Sequence, residues 1–179
     1  MLHAEVDDAI LLAAAQDGDV DAFEALVRRH QTAVYRVALR MLGSRADAQD
    51  ATQDTFVRAW RALPRFRRHS AVSTWFYRIV TRRSLDLIAA RRPTEHIDDL
   101  EFASATDPAR TTEQQERLRA VTQAIAALPG EQRAALVLRE FEGLSYQEVA
   151  EVLGTSLPAV KGRIHRARLT VIQQTKGWE

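Results

Sequence analysis

The segment from Gly143 to Gln173 constrains this chain most, because it has the pattern of two helices separated by a glycine. Ser145 and Glu148 have the spacing of a capping box, in which each side chain binds a free backbone N–H at the start of a helix. Gly154 follows the first apolar stripe, at a position where glycine commonly ends a helix. Ser156 is suited to cap the next helix. The segment therefore predicts a helix, a tight turn and a second helix.

The second predicted helix of this segment is strongly basic. One buried stripe is predicted from the helical spacing of its apolar residues, which are Val160, Ile164, Ala167 and Val171. Between residues 152 and 178 there is no Asp or Glu, whereas there are five basic residues: Lys161, Arg163, Arg166, Arg168 and Lys176. This pattern is typical of a helix-turn-helix that reads the major groove of DNA. An ordinary helical hairpin with a solvated basic face is the alternative.

Composition excludes several classes of function. The chain of 179 residues has no cysteine, which rules out disulfides, thiolate zinc sites and a thiol nucleophile. Its five histidines are scattered, without an H-x-x-x-H or H-E-x-x-H pair. No apolar run reaches the roughly 20 residues of a membrane helix, and the acidic N-terminus lacks the basic start of a secretory signal. A cytoplasmic location is therefore expected.

The net charge of +1 conceals three regions of different sign. Residues 1–93 contain 15 Lys and Arg against 11 Asp and Glu, and residues 117–179 contain nine against six. Residues 94–116 contain one Arg against seven acidic residues. Two basic bodies separated by an acidic segment predict two binding modules and a connector.

The N-terminal half has helix signals and no sustained strand alternation. A helix is predicted over residues 45–62, capped by Ser44. Its buried side is predicted to comprise Ala48, Ala51, Phe56, Val57 and Trp60. Polar residues at spacings of three and four share one exposed face of this helix: Asp47, Asp50, Gln53 and Asp54. This acidic ridge is either a protein-docking surface or an ordinary solvated face.

The stretch from Arg65 to Arg92 contains eight arginines, one acidic residue and four aromatic residues. Basic surfaces with interleaved aromatic rings suit single-stranded nucleic acid, because arginines follow the phosphates while rings stack on unpaired bases. The alternative is that the aromatic and aliphatic side chains of this stretch belong to the core. This is the favoured interpretation for Phe76, Ile79 and Leu87.

Residues 94–112 are acidic and lack sustained periodicity, which predicts an extended or partly ordered linker. Helices predicted over 113–128 and 131–141 then lead into the helix-turn-helix. The predicted fold is all-α and consists of two small helical domains. The N-terminal domain spans 1–93, the acidic linker 94–112 and the C-terminal helix-turn-helix domain 113–179.

Four stretches, in this combination and order, resemble the bacterial extracytoplasmic-function (ECF) RNA polymerase sigma factors in their minimal two-domain form. They are DAQDATQDTFVRAWRALPRF (47–66), STWFYRIVTRRSLDLIAARR (73–92), ALPGEQRAALVLREFEGLSYQEVAEVLG (127–154) and VKGRIHRAR (160–168). The resemblance covers nearly the whole chain. It implies a transcription initiation factor that is not an enzyme and has no cofactor or small-molecule substrate.

The resemblance also assigns roles to individual residues. The surface that docks on the coiled coil of the largest polymerase subunit is implied to comprise Asp47, Asp50, Gln53, Asp54 and Phe56. The residues implied to capture single-stranded DNA of the −10 promoter element are Phe66, Arg67, Arg68, Ser73, Trp75, Arg78, Arg82 and Arg83. The residues implied to read duplex DNA of the −35 element are Ser156, Pro158, Lys161, Arg163, His165, Arg166 and Arg168.

One position departs from the family pattern. Members usually carry Asn near the middle of the −10 helix, where this chain has Arg82. An amide donates and accepts hydrogen bonds, whereas a guanidinium only donates, so capture of the −10 base is expected to differ here.

The resemblance implies three partners: core RNA polymerase, promoter DNA and an anti-sigma factor that clamps both domains and is often membrane-bound. The acidic linker resembles the family segment that occupies the nucleic-acid channel of the polymerase. The alternative from another class is a stand-alone helix-turn-helix repressor that binds duplex operators. That alternative explains residues 143–173 but neither the Arg and aromatic stretch nor the acidic ridge.

Overall fold

The computed structural model describes residues 7–67, 69–91 and 111–176, and these ranges form eight α-helices and no strand. The predicted all-α fold of two helical domains is thus confirmed. The N-terminal domain holds α1 (Asp8–Gln16), α2 (Val20–Leu42), α3 (Arg45–Ala62) and α4 (Val72–Ala90). The C-terminal domain holds α5 (Thr112–Ala126), α6 (Gly130–Leu136), α7 (Tyr146–Leu153) and α8 (Leu157–Thr175). Residues 94–110 of the predicted linker lie outside the described ranges.

Short polar side chains start the helices of the N-terminal domain. Asp7, Asp19 and Ser44 each accept a hydrogen bond from a backbone N–H in the first turn of α1, α2 and α3. Gly43 ends α2 with φ of +70°, a backbone conformation that side chains with a Cβ rarely adopt. The sharp turn at Gly43 allows α3 to fold back along α2.

The core of the N-terminal domain lies between α2, α3 and α4. Its fully buried side chains include Leu26, Val37, Met41, Phe76 and Val80. Burial of each such side chain contributes about 1.5–3 kcal/mol to the free energy of unfolding. The prediction that Phe76 belongs to the core is confirmed.

Two residues of α3 differ from the predicted buried face. Val57 and Trp60 are 47% and 40% exposed, whereas Ala48, Ala51 and Phe56 are buried as predicted. The apolar stripe of α3 is wider than the surface that α2 and α4 cover, so its edge remains in solvent. Trp60 packs there against Phe23, with 5.0 Å between the ring centroids.

The two domains pack against each other. Ala134 of α6 and Val137 of the π-helical segment Val137–Phe141 are fully buried and belong to the same apolar cluster as the N-terminal core. Leu153 of α7 also packs against this cluster. The C-terminal domain therefore rests with α6 and α7 on α4, and this arrangement positions the surfaces described next.

Candidate nucleic-acid interface

The helix-turn-helix predicted from the sequence is formed by α7 and α8. Ser145 and Glu148 make both hydrogen bonds of the capping box, with 2.7 Å between the Ser145 backbone N and Glu148 Oε2. The hydrogen bond from the Ser145 backbone N–H lowers the pKa of Glu148 below its ordinary value. Gly154 ends α7 with φ of +60°, and Ser156 Oγ accepts from the backbone N of Ala159 at the start of α8. Capping on both sides of the turn fixes α8 relative to α7.

The second helix, α8, has one buried face and one basic, solvent-exposed face. The predicted buried stripe holds, since Val160, Ile164 and Ala167 are buried and Val171 is half-buried. On the opposite side lie the exposed side chains of Pro158, Lys161, His165 and Arg166. The Arg166 guanidinium lies over Gly162, where an added Cβ would be 3.3 Å from Arg166 Nη1. Gly162 thus leaves space for the Arg166 side chain along the helix.

Two further basic residues of α8 are held by acids of the same domain. Arg163 forms an ion pair with Glu131 of α6, and its side chain is 20% exposed. Arg168 is bound by Glu140 of the π-helical segment, with 3.2 Å between Arg168 Nε and Glu140 Oε1. These pairs tie the two sides of α8 to α6 and to the π-helical segment.

A cavity of about 350 Å³ lies between the α3–α4 connection and α7. Its lining includes Arg65, Phe66, Arg67, Trp75, Arg78 and Glu151. The connection is held from below by Gln16, whose Nε2 donates to the backbone oxygens of Leu63 at 3.0 Å and Phe66 at 2.8 Å. The structure therefore brings four of the residues implied in −10 binding, Phe66, Arg67, Trp75 and Arg78, into one basic, aromatic pocket.

The aromatic residues of this cavity form a stack. The Phe66 and Trp75 rings lie 4.3 Å apart between centroids and 19° from parallel, and Phe76 continues the stack at 5.4 Å from Trp75. Trp75 is 6% exposed. Its ring faces are covered by two other rings, so Phe66, which is half-buried, is the more accessible aromatic side chain of the pair.

The polar residues implied in −10 binding differ in their partners and in their exposure. Arg78 Nη2 is 3.2 Å from Glu151 Oε1, across the boundary between the domains. Arg83 Nε is 2.8 Å from Asp54 Oδ2. The side chain of Arg82 is 80% exposed, with its Nε 3.6 Å from Asp86 Oδ1. Arg67 is exposed and Ser73 is half-buried, while Arg68 lies outside the described residues.

The acidic ridge of α3 faces away from the core, but its members are not equivalent. Asp50 and Gln53 are exposed. Asp47 is bound by Arg91 at 2.7 Å, and Asp54 lies between Arg58 at 3.0 Å and Arg83 at 2.8 Å. Phe56 is 8% exposed and contacts Phe76 edge-on, 5.1 Å between centroids, so its ring lies beneath the ridge rather than on it.

Sequence reasoning missed a polar groove beside the ridge. This groove, of about 480 Å³, lies between α2 and α3 and is lined by Gln31, Thr32, Tyr35, Gln49, Thr52 and Gln53. Helical spacing on α2 alone places Gln31, Thr32 and Tyr35 on one side, but only the packing of the two helices brings them opposite Gln53. The groove extends the ridge with amide and hydroxyl groups that donate and accept hydrogen bonds.

A cluster of charged residues between the domains was also missed. Glu142, whose side chain is 3% exposed, lies 3.1 Å from Arg40 Nη1 and 3.8 Å from Arg36 Nη2. The Tyr77 hydroxyl donates to Glu142 Oε2 at 3.1 Å. Burial, with Glu142 as a second cause, raises the pKa of Tyr77 to about 12. Burial also lowers the pKa of Arg40. Glu142 and Tyr77 are distant in sequence from each other and from the two arginines of α2, which is why periodicity gives no sign of the cluster.

The described residues contain neither a cluster of His, Cys, Asp and Glu able to hold a metal ion nor a helix long and apolar enough to cross a membrane. A basic helix-turn-helix and a separate basic, aromatic cavity define a two-domain helical protein that binds nucleic acid.

The family models described as Sigma-70 region 2 and Sigma-70, region 4 match residues 26–94 and 118–171. The RNA polymerase sigma-H factor of Pseudomonas aeruginosa is 38% identical over 180 residues, which cover 94% of this chain and 93% of the relative. The ECF RNA polymerase sigma-E factor of Escherichia coli K12 is 35% identical over 179 residues, which cover 93% of each.

Among solved structures, CnrH in complex with the cytosolic domain of CnrY matches with a TM-score of 0.73 and 32% identity, covering 95% of this chain and 97% of that one. The chain therefore belongs to the ECF RNA polymerase sigma factors and is a transcription initiation factor. Nothing in these comparisons favours the stand-alone repressor.

Proposed function

We propose that this sigma factor docks on core RNA polymerase through α3, captures single-stranded −10 DNA in the cavity beside Trp75 and reads the −35 duplex with α8. The observation that carries this assignment is the occurrence, on one chain, of two separate basic surfaces of different shape. One is a convex helix with exposed basic side chains, which suits the major groove. The other is a concave pocket with aromatic rings, which suits unpaired bases.

At the −35 element, α8 enters the major groove with Lys161, His165 and Arg166 toward the DNA. Arg166 is the best candidate for a base contact, because its guanidinium can donate two hydrogen bonds to guanine. Arg163 and Arg168 bind the flanking phosphates, with Ser156 and Pro158 near the backbone at the start of the helix. Phosphate contacts set the position of the helix and base contacts set its sequence preference.

At the −10 element, an unpaired base leaves the stack and enters the cavity lined by Phe66 and Trp75. Unstacking costs a few kcal/mol, which stacking and hydrogen bonds in the pocket offset. Arg67, Arg68, Arg78 and Arg83 neutralise phosphates of the same strand, and Ser73 adds a hydroxyl near the start of α4. Arg82 donates hydrogen bonds only, so it favours a base edge or phosphate that accepts them.

Docking on core polymerase uses the exposed part of the acidic ridge and the polar groove beside it. Asp50 and Gln53 make the direct contacts, while Asp47 and Asp54 act through the arginines they hold and Phe56 supports the ridge from the core. The complement of this surface is a basic, polar helix pair, such as a coiled coil of the largest polymerase subunit.

The test of the proposal is a pull-down of core RNA polymerase with the purified chain and an Asp50→Arg variant. Asp50 is the appropriate position because it is exposed. Asp54→Arg, in contrast, would place three guanidinium groups together and disturb the fold. We expect wild type to retain core polymerase and Asp50→Arg to lose it.

The matched control for this test is Glu116→Arg, the same charge change at an exposed position of α5. Circular dichroism checks that all three proteins are folded. Equal retention of core by wild type and Asp50→Arg contradicts the docking surface. A wild type that retains no core contradicts the proposed function as a whole.

The same proposal places the protein in the cytoplasm, because core polymerase and promoter DNA are there. It also describes a factor that has no catalytic activity of its own. It also includes an anti-sigma factor as inhibitor, in line with the family resemblance and with the complex of CnrH and the cytosolic domain of CnrY. Such an inhibitor would compete for surfaces on both domains.

A further inference from the structure

The contact between the domains places acidic side chains of the C-terminal domain on basic side chains of the N-terminal domain. Glu142 meets Arg36 and Arg40, and Glu151 meets Arg78. We call the contact of Glu142 with Arg36, Arg40 and Tyr77 the Glu142 latch. The contact of Glu151 with Arg78 is called the Glu151 gate. Both acids come from the domain that reads duplex DNA in the proposed function, and all three arginines come from the other domain.

The Glu142 latch is held by partners that solvent can reach. The Glu142 side chain is 3% exposed, whereas those of Arg36 and Arg40 are 53% and 28% exposed. A buried carboxylate is costly unless ion pairs and hydrogen bonds satisfy it. On separation of the domains Glu142 and both arginines regain water, so none of these three charges is left buried and unpaired. The latch therefore favours the closed arrangement without making it irreversible.

The Glu151 gate acts on the cavity itself. Glu151 projects from α7 into the lining of the cavity and binds Arg78 on its wall. The Glu151 carboxylate pairs with the Arg78 guanidinium, which would otherwise pair with a DNA phosphate. Its negative charge also repels a phosphate that approaches the cavity. Single-stranded DNA must displace Glu151 before it gains Arg78, so the closed arrangement lowers the affinity of the cavity for DNA.

We propose that the C-terminal domain closes the −10 cavity of its own chain, with Glu142 holding the domains together and Glu151 competing with DNA for Arg78. The inference rests on the proposed role of the cavity in −10 binding. The closed chain is inactive toward promoter DNA, and separation of α7 from α4 is required before the −10 strand can enter. Binding of core polymerase to α3 leaves room for this separation, because α3 lies outside the latch.

The first experiment measures the distance between the domains by pulsed dipolar spectroscopy. The chain has no cysteine, so spin labels attached to Ala46→Cys on α3 and Gln173→Cys on α8, both exposed positions, report on one distance only. We expect a single narrow distribution in this background. Adding Glu142→Gln should raise the population of longer distances about fivefold, because the neutral amide no longer forms ion pairs with Arg40 and Arg36.

Two further variants keep this experiment decisive. Tyr77→Phe removes only the hydroxyl hydrogen bond to Glu142 and should produce a smaller shift in the same direction. Glu116→Gln neutralises an exposed acid of α5 outside the latch and should leave the distribution unchanged. Circular dichroism confirms that helix content is retained. A distribution that is the same for wild type, Glu142→Gln and Tyr77→Phe overturns the latch.

The second experiment measures binding of a fluorescein-labelled single-stranded DNA oligonucleotide of mixed sequence to the full chain. Glu151→Gln should bind up to about fivefold more tightly than wild type, because Arg78 is released from a largely exposed ion pair. Glu116→Gln provides the control for loss of one negative charge. Equal affinities of wild type and Glu151→Gln overturn the gate.

Pull-down of core polymerase with the same preparations separates this inference from the proposed function. A wild type that binds core, with distances and DNA affinities that no variant changes, refutes the closure but leaves the proposed function standing. A wild type that fails to bind core refutes the proposed function, while the distance measurement still decides whether the latch exists.

Discussion

At the scale of single residues, Arg166 and Gly162 act as a pair on the exposed face of α8. Replacing Arg166 with Ala should weaken binding to the −35 duplex by about 1–3 kcal/mol, the usual contribution of a guanidinium that contacts a base. Gly162→Ser should produce a smaller loss, because its Cβ would lie 3.3 Å from Arg166 Nη1 and displace that flexible side chain slightly. Fluorescence anisotropy with duplex promoter DNA measures both effects.

The control for these two variants is Arg119→Ala, which removes an exposed arginine from α5. It should leave −35 affinity within about 0.5 kcal/mol of wild type. Affinity that Arg166→Ala does not reduce, or that Arg119→Ala reduces equally, rules out a specific role of Arg166 at the −35 element.

Several residue environments could not be predicted from the sequence. The density of arginines between residues 65 and 92 indicates a polyanion as partner, yet Arg91 donates to the Leu42 backbone oxygen at 2.8 Å and pairs with Asp47, which makes it a structural residue. Arg83 is bound by Asp54 of α3. Spacing along one helix gives the face of a side chain, but its partner depends on which helix packs opposite.

At the scale of secondary-structure elements, Arg133 of α6 joins the C-terminal ends of α2 and α5. Its guanidinium is buried and donates to the backbone oxygens of Met41 at 2.5 Å, Leu128 at 3.0 Å and Ala126. Helix ends leave such oxygens without an intrahelical partner, and a cation there also interacts favourably with the helix dipole. Burial, with nearby Arg91 as a second cause, lowers the pKa of Arg133 to about 10, so the group remains charged at neutral pH.

Replacing Arg133 with Met should therefore lower the free energy of unfolding by about 3 kcal/mol, since buried carbonyl oxygens lose charged hydrogen-bond donors. Urea denaturation followed by circular dichroism gives this value. Arg119→Met, an equivalent change at an exposed position of α5, should have little effect. Similar denaturation midpoints for both variants would show that the Arg133 hydrogen bonds contribute nothing to stability.

Secondary-structure elements were predicted best where the sequence signal depends only on residues that are neighbours in the chain. The capping box of Ser145 and Glu148 and the glycine end at Gly154 depend on neighbouring residues, and both are found in the structure. The exposed Val57 and Trp60 were placed wrongly, because helical periodicity gives the direction of an apolar stripe but not the width that neighbouring helices cover. The π-helical segment Val137–Phe141 has no sequence signature and was predicted as ordinary helix.

At the scale of the whole molecule, the two domains and their basic character follow from charge distribution and motif order, whereas their mutual arrangement does not. Glu142 and Arg40 are separated by more than a hundred positions in the chain and meet only after both domains have folded. On α4, Arg78 carries a proposed DNA contact and also pairs with Glu151 of α7, and the neighbouring Tyr77 donates to Glu142. Promoter binding and domain closure are thus alternatives for the same surfaces.

The ionisation of Tyr77 tests the closed arrangement of the whole molecule. The folded chain raises the pKa of Tyr77 from about 10 to about 12 through burial and the nearby Glu142 carboxylate. The neutral phenol is thus favoured in the closed state, and its stabilising contribution is fully present below pH 10. As pH rises from about 10 to about 12, the open or unfolded chain releases this proton first, so the contribution is progressively lost.

Phenolate absorbance measured against pH provides the observation, because the chain has three tyrosines. Wild type should show a late phase of phenolate formation from Tyr77, near pH 12, and Tyr77→Phe should lack this late phase. Glu142→Gln should shift the late phase to lower pH, since it removes the neighbouring negative charge and opens the interface. A late phase that persists in Tyr77→Phe assigns the raised pKa to another tyrosine and contradicts the hydrogen bond between Tyr77 and Glu142 in solution.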